Sequence, residues 1–167
     1  MWALAVLIAY LPVFFAVRRR GSASPRRLAA IFGFLLYVAA VVAATMFPVV
    51  LRPGGEHWAD HHWWLVIRWI PGDVPLTDFI LNMLMFAPIG LVLPLWWPAL
   101  NPVRRLAALA LALSCCIEGT QFVLWVTLGN YRMVDVNDLI SNTTGAVLGL
   151  LVLRGLRADH EAVQARM

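Results

Sequence analysis

Residues 104–128 decide the fold class, and they read RRLAALALALSCCIEGTQFVLWVTL. After its two arginines this stretch is apolar for long enough to cross a bilayer, since a spanning helix needs about 20 mostly apolar residues. It contains one carboxyl group, Glu118, placed ten residues before the end of the stretch. Ten helical residues extend about 15 Å, so the sequence predicts a carboxyl group deep within a membrane-spanning helix.

Four further apolar runs flank this one, at residues 2–17, 28–51, 78–97 and 138–156. Of the 167 residues, 62% are hydrophobic and 13% are charged, whereas soluble domains have roughly half and a quarter. We therefore predict an all-α, polytopic transmembrane helical bundle of about five helices. Residues 1–75 would hold the N-terminal helices and an external Trp-rich loop, residues 76–156 a three-helix segment, and residues 157–167 a cytoplasmic tail.

The arginines predict the orientation. Ten of the 13 basic residues, all of them arginine, fall on one side of a five-helix arrangement, and only Arg52, Arg68 and Arg132 fall on the other. Because cytoplasmic segments are enriched in basic residues, we expect a cell-membrane protein with its N-terminus outside and its C-terminus in the cytoplasm. The arginines lie in short clusters between apolar runs, which excludes a nucleic-acid partner. Membrane lipids are therefore the expected partners. The part of the external loop at residues 63–70 is expected to lie flat on the outer surface.

Polar residues inside the apolar runs indicate a site, because ionisable groups at membrane depth usually face the bundle interior or a wet cavity. Their spacings of three and four residues place them on helix faces that point towards one another. Gly145 and Gly149 continue one such face and would let another helix approach closely. We expect an outward-facing polar pocket in which Arg132 offsets part of the acidic charge. Its residues would be Asn82, Glu118, Gln121, Arg132, Asp135, Asp138 and Asn142, with Asp78 on the same face as Asn82.

Structural explanations remain open for some of these residues. Asp135 and Asp138 suit the start of a helix, and Asn82 and Gln121 suit hydrogen bonds between helices. Neither a helix start nor a hydrogen bond between helices explains a deep carboxyl group such as Glu118. The spacing of His57 and His61 is that of a metal pair, but a third ligand is lacking, so we predict neither a metal site nor a cofactor.

Three segments of the second half resemble the VanZ-like family of bacterial membrane proteins. They are Asn82-x3-Phe86-x-Pro88-x-Gly90, then Glu118-x2-Gln121, then Arg132-x2-Asp135-x2-Asp138-x3-Asn142-x2-Gly145-x3-Gly149. The resemblance extends over roughly residues 76–151. The family is named for a member linked to resistance against the glycopeptide antibiotic teicoplanin, so the resemblance implies such a link, but it implies no particular reaction.

Three functions fit these observations. The first is binding of an amphipathic cell-envelope molecule, either a lipoglycopeptide antibiotic or a lipid-linked precursor, in the polar pocket. The second is a membrane enzyme such as a metal-dependent lipid-phosphate hydrolase, in which three acids hold a cation and Arg132 holds a phosphate oxygen. The third is a non-catalytic scaffold subunit. Whether the protein is an enzyme stays open at this point.

Overall fold

A computed structural model describes residues 24–47, 67–72, 74–128 and 134–166 of the chain. Within these ranges the protein is almost entirely helical. The elements are helices α1 (Pro25–Met46), α2 (Leu76–Trp96), α3 (Val103–Leu128) and α4 (Val136–Gln164), a 3-10 helix at Pro98–Leu100, and the two-residue strands β1 (Ile67–Arg68) and β2 (Val134–Asp135). The first predicted helix, residues 2–17, lies outside the described residues.

All four described helices are long and apolar enough to cross a membrane. This confirms the prediction of an all-α, multi-pass membrane protein, with four of the approximately five predicted helices described. Helix α1 belongs to one compact unit of the chain, Met1–Val49, and presents exposed apolar side chains along its length. The other elements belong to a second unit, Val50–Met167, which contains the predicted polar site.

The helix boundaries differ modestly from those predicted. Helix α2 begins directly after Pro75, two residues before the predicted start. Helix α4 continues to Gln164, so much of the segment predicted as a tail is helical. Its last turns are rich in Ala, Glu, Gln and Arg, which have high helix propensity and need no apolar environment. At 29 residues this helix is about 43 Å long, more than the roughly 30 Å of a bilayer core.

Helices α2 and α4 pack backbone to backbone. A Cβ atom at Gly145 would collide with the backbone of Met83, and one at Gly149 would collide with the carbonyl oxygen of Ala87. From the other side, a Cβ atom at Gly90 would meet the backbone of Ala146. The glycine spacing therefore permits a close helix contact, as predicted. Its partner is α2, whereas the sequence argument directed this face towards α3.

The strands tie the loop before α2 to the start of α4. Strand β1 pairs in parallel with β2, with Ile67 opposite Val134 and Arg68 opposite Asp135. Residues 67 and 68 thus belong to a strand pair that the sequence did not predict, because nothing local indicated a pairing partner 67 residues away. Residues 63–66 lie outside the described residues, so the expectation that 63–70 lies flat on the membrane surface stays a prediction.

Within this second unit many polar side chains are buried and many apolar side chains are exposed, which is the reverse of a soluble protein. Buried positions include Ser114, Glu118, Gln121 and Asn142, whereas Leu84 is 63% exposed and Val123 is 55% exposed. Such an arrangement suits lipid outside the bundle and hydrogen bonds inside it. Cys115 and Cys116 are free and exposed, as expected for apolar helix residues without a disulfide.

Candidate functional site: a polar cavity at one end of the bundle

Asp135 connects three elements of the site. It is the N-cap of α4, where its Oδ1 atom accepts hydrogen bonds from the backbone N–H of Asn137 at 2.9 Å and from that residue's side-chain Nδ2 at 2.7 Å. Its Oδ2 atom forms an ion pair with Nη1 of Arg68 at 3.1 Å. Its own backbone N–H donates to Oε2 of Glu118 at 3.0 Å. The cap was predicted, and the structure gives the same residue two further contacts.

Glu118 on α3 is buried, with 4% of its surface exposed. Besides accepting from the Asp135 backbone, its carboxyl group lies within hydrogen-bonding reach of the Asp138 carboxyl group. Two carboxyl groups this close repel one another when both are ionised. The predicted contact between the Glu118 face of α3 and the Asp138 face of α4 is confirmed.

Asn82 joins α2 to the same group. Its Nδ2 atom donates to Oδ1 of Asp138 at 2.6 Å, a short bond of the charge-assisted kind. Asp78 lies four residues earlier on α2 and borders the same space. The N-terminal turns of α2 and α4 therefore both carry an acid, where the helix dipole favours negative charge.

These groups surround a cavity of about 270 Å³. The wall is mostly polar, and three of its side chains are carboxylic acids against one guanidinium. The lining residues are Arg68, Val74, Asp78, Phe79, Asn82, Asp135, Asn137 and Asp138.

A second polar layer lies between α3 and α4 behind the cavity. Asn142 donates through Nδ2 to the hydroxyl oxygen of Ser114 at 2.9 Å, and this hydroxyl donates to the backbone oxygen of Asp138 at 3.4 Å. The Oδ1 atom of Asn142 is buried and has no hydrogen-bond partner. Gln121, 5% exposed, is also buried. Asn142 and Gln121 are absent from the described lining of the cavity, which fits helix-to-helix bonding better than direct contact with a ligand.

The structure thus divides the predicted site residues into groups. Asn82, Asp135 and Asp138 line the cavity, and Glu118 supports two of them from behind. Arg132 lies outside the described residues, so its predicted role stays a prediction.

Sequence reasoning missed Arg68 and Asn137 as members of the site. Arg68 supplies the ion pair to Asp135, and Asn137 accepts a hydrogen bond from the backbone N–H of Gly72 at 2.8 Å. Gly72 has φ of +100°, a conformation that favours glycine. A proline-glycine turn before α2 was a visible signal for this bend, but the link to Asn137 was not.

A metal site needs several donor side chains placed around one point. Among the described residues, no group of three His, Cys, Asp or Glu side chains is placed to hold a metal ion. The acid oxygens instead accept hydrogen bonds from N–H groups, as at Glu118 Oε2 and Asp138 Oδ1. The histidine pair His57 and His61 lies outside the described residues.

Comparison with known proteins identifies one family. The model of the VanZ/LLP1 family matches residues 2–157, which is most of the chain and includes the whole cavity. No curated protein and no solved structure matches the chain.

Proposed function

The chain belongs to the VanZ-like family, and from this premise we propose that it binds an amphipathic cell-envelope molecule through the polar cavity between α2 and α4. The observation that carries the proposal is the cavity itself. About 270 Å³ of polar space lies at one end of helices whose outer surfaces are apolar, so a head group and an acyl chain each meet a matching surface.

The lining favours a ligand that donates hydrogen bonds. Asp78, Asp135 and Asp138 present carboxyl oxygens, and Arg68, the one cation in the described lining of the cavity, is already paired with Asp135. Ammonium, hydroxyl and amide groups suit such a wall, whereas a phosphate would meet like charge. Of the two candidate ligands, a lipoglycopeptide, with its sugar hydroxyls and peptide amides, therefore fits better than a phosphate-linked precursor.

The arginine distribution supports an outward-facing cavity. The described basic residues concentrate at the opposite end of the second unit, in Arg104, Arg105, Arg154 and Arg157. Because basic ends face the cytoplasm, the cavity end would face the outside. An antibiotic or envelope component would reach it from that side, and binding of this kind is the basis on which we propose a contribution to teicoplanin-type resistance.

The described geometry does not favour the alternatives. A metal-dependent hydrolase would need several acid side chains placed around one cation, and among the described residues no group of three His, Cys, Asp or Glu side chains is placed in that way. A scaffold in which every polar group only joins helices would not need a polar cavity at the helix ends. Burying polar groups without partners is costly, so such a space would be filled by apolar side chains.

Binding can be tested with purified protein in lipid nanodiscs. A teicoplanin-type lipoglycopeptide and the same glycopeptide core without its acyl chain are titrated against the parent and the Asp138→Asn variant. Asparagine keeps the oxygen that accepts from Asn82 but removes the charge, so binding should fall at least about tenfold. Asp159→Asn, an exposed change on the same helix, is the matched control. Equal binding of parent and Asp138→Asn, or no binding by the parent, would refute the proposal.

A further inference from the structure

We infer that the opposite end of the second unit holds a separate site, which binds the phosphate group of an anionic phospholipid. The site is the arginine cluster formed by Arg104, Arg105, Arg154 and Arg157 around the turn between α2 and α3. It is independent of the polar cavity, since Asp138 and Arg154 are separated by about 24 Å along α4.

Three of the arginines converge on one short turn. Arg105 donates from Nη1 to the backbone oxygen of Ala99 at 3.2 Å. Arg154 donates from Nη2 to the backbone oxygen of Asn101 at 2.6 Å, and Arg157 reaches the side-chain Oδ1 of the same asparagine at 3.5 Å. These bonds orient the side chains but use one N–H each. A guanidinium group has five N–H donors, so each of these exposed side chains keeps further donors for a ligand.

Within the described part of the chain none of these arginines forms an ion pair, since the pair of Arg68 with Asp135 is the one salt bridge found there. Asp159 and Glu161 follow on α4 and are exposed, so they offset only part of the charge of the four arginines. The positions of Arg104 and Arg105 are also unfavourable for α3 itself, because they lie in its first turn, where the helix dipole disfavours cations. The proposed orientation places these arginines at the cytoplasmic face, and an anionic head group there would pair with guanidinium groups that neither helix electrostatics nor an internal ion pair stabilises.

The surroundings indicate that the anion belongs to a lipid. Apolar side chains border the cluster and are exposed, among them Leu95 at 52% and Leu156 at 61%. Trp96 and Trp97 pack edge to face, with ring centroids 6.2 Å apart, at the position where aromatic side chains mark a membrane–water interface. Free phosphate would use the guanidinium groups but not the adjoining apolar surface, whereas a phospholipid uses both.

Native mass spectrometry of the detergent-purified protein tests this inference. Phosphatidylglycerol and phosphatidylcholine with identical acyl chains are titrated separately, and inorganic phosphate is then added as a competitor. We expect phosphatidylglycerol to bind more tightly, with little displacement by millimolar phosphate. One basic residue beside an anionic membrane surface is worth about fivefold in affinity, so Arg154→Gln with Arg157→Gln should weaken binding roughly 25-fold.

Two variants keep the test decisive. Arg166→Gln removes one arginine charge at a position about 13 Å beyond Arg157 along the chain. Its affinity for phosphatidylglycerol should stay within about twofold of that of the parent. If the double variant does not fold, Arg105→Gln carries the test, with an expected loss of about fivefold. Equal binding of the two lipids, displacement of phosphatidylglycerol by equimolar phosphate, or equal losses in Arg105→Gln and Arg166→Gln would each overturn the inference.

Discussion

Replacing Glu118 separates a functional charge from a structural hydrogen bond. In Glu118→Gln, one amide oxygen can still accept from the Asp135 backbone N–H, and the amide nitrogen can donate to the Asp138 carboxylate. Both contacts seen in the structure therefore persist. The free energy of unfolding should change by less than about 1 kcal/mol, the usual range for one hydrogen bond between membrane helices.

Glu118→Ala removes the acceptor instead. The backbone N–H of Asp135 is then left unpaired at a buried position, which costs about 1–3 kcal/mol, and the lost side-chain packing brings the expected total to about 2–4 kcal/mol. Thermal unfolding in detergent, followed by tryptophan emission, measures both variants. Thr120→Val, a change at an exposed position on the same helix, is the control and should resemble the parent.

Ligand retention completes the experiment. If the charge is functional, Glu118→Gln should fold as the parent does and lose binding of the lipoglycopeptide, because the negative charge behind the cavity is removed. Unchanged binding by a folded Glu118→Gln protein would refute the functional charge. Equal destabilisation by the glutamine and alanine variants would refute the hydrogen-bond argument and give the charge a structural role.

Three further outcomes are expected. Gly145→Ala should destabilise the protein strongly, because its Cβ would meet the backbone of α2, whereas Gly119→Ala, with open space around it, should be neutral or slightly stabilising in the same unfolding assay. Arg68→Gln should lower the free energy of unfolding by only about 1 kcal/mol, and less at high salt, since its ion pair with Asp135 is partly exposed. In a protein without its own cysteines, an impermeant reagent should label a cysteine at position 55 of intact cells and not one at position 22; the reverse would overturn the proposed orientation.

Helix positions and the Glu118–Asp138 contact were predictable because both follow from local patterns. Apolar runs of about 20 residues define spans, and spacings of three and four residues define faces. The Asp135 cap was predictable for the same reason, since its side chain bonds within its own helix start. In each case the information lies within a few residues of the position concerned.

The partner of the glycine face was not predictable, because a small-residue stripe indicates a close neighbour without identifying it. Either α2 or α3 could have packed against Gly145 and Gly149, and α2 does. Arg68 was missed for a similar reason. Its pairing with Asp135 depends on a parallel strand contact between segments separated by two membrane-spanning helices, and two-residue strands leave no periodic signal.

The glycine contact also explains where the cavity can exist. Backbone contact between Met83 and Gly145 leaves no space between α2 and α4 at that level. Every α2 residue that lines the cavity precedes Met83, and every lining residue of α4 precedes Gly145. The helix contact therefore forms the floor of the cavity, and the strand pair with Arg68 forms part of its rim. A head group held there has polar walls beside it, while exposed apolar side chains in the same turns of α2, among them Ile80 and Leu81, can accept an acyl chain.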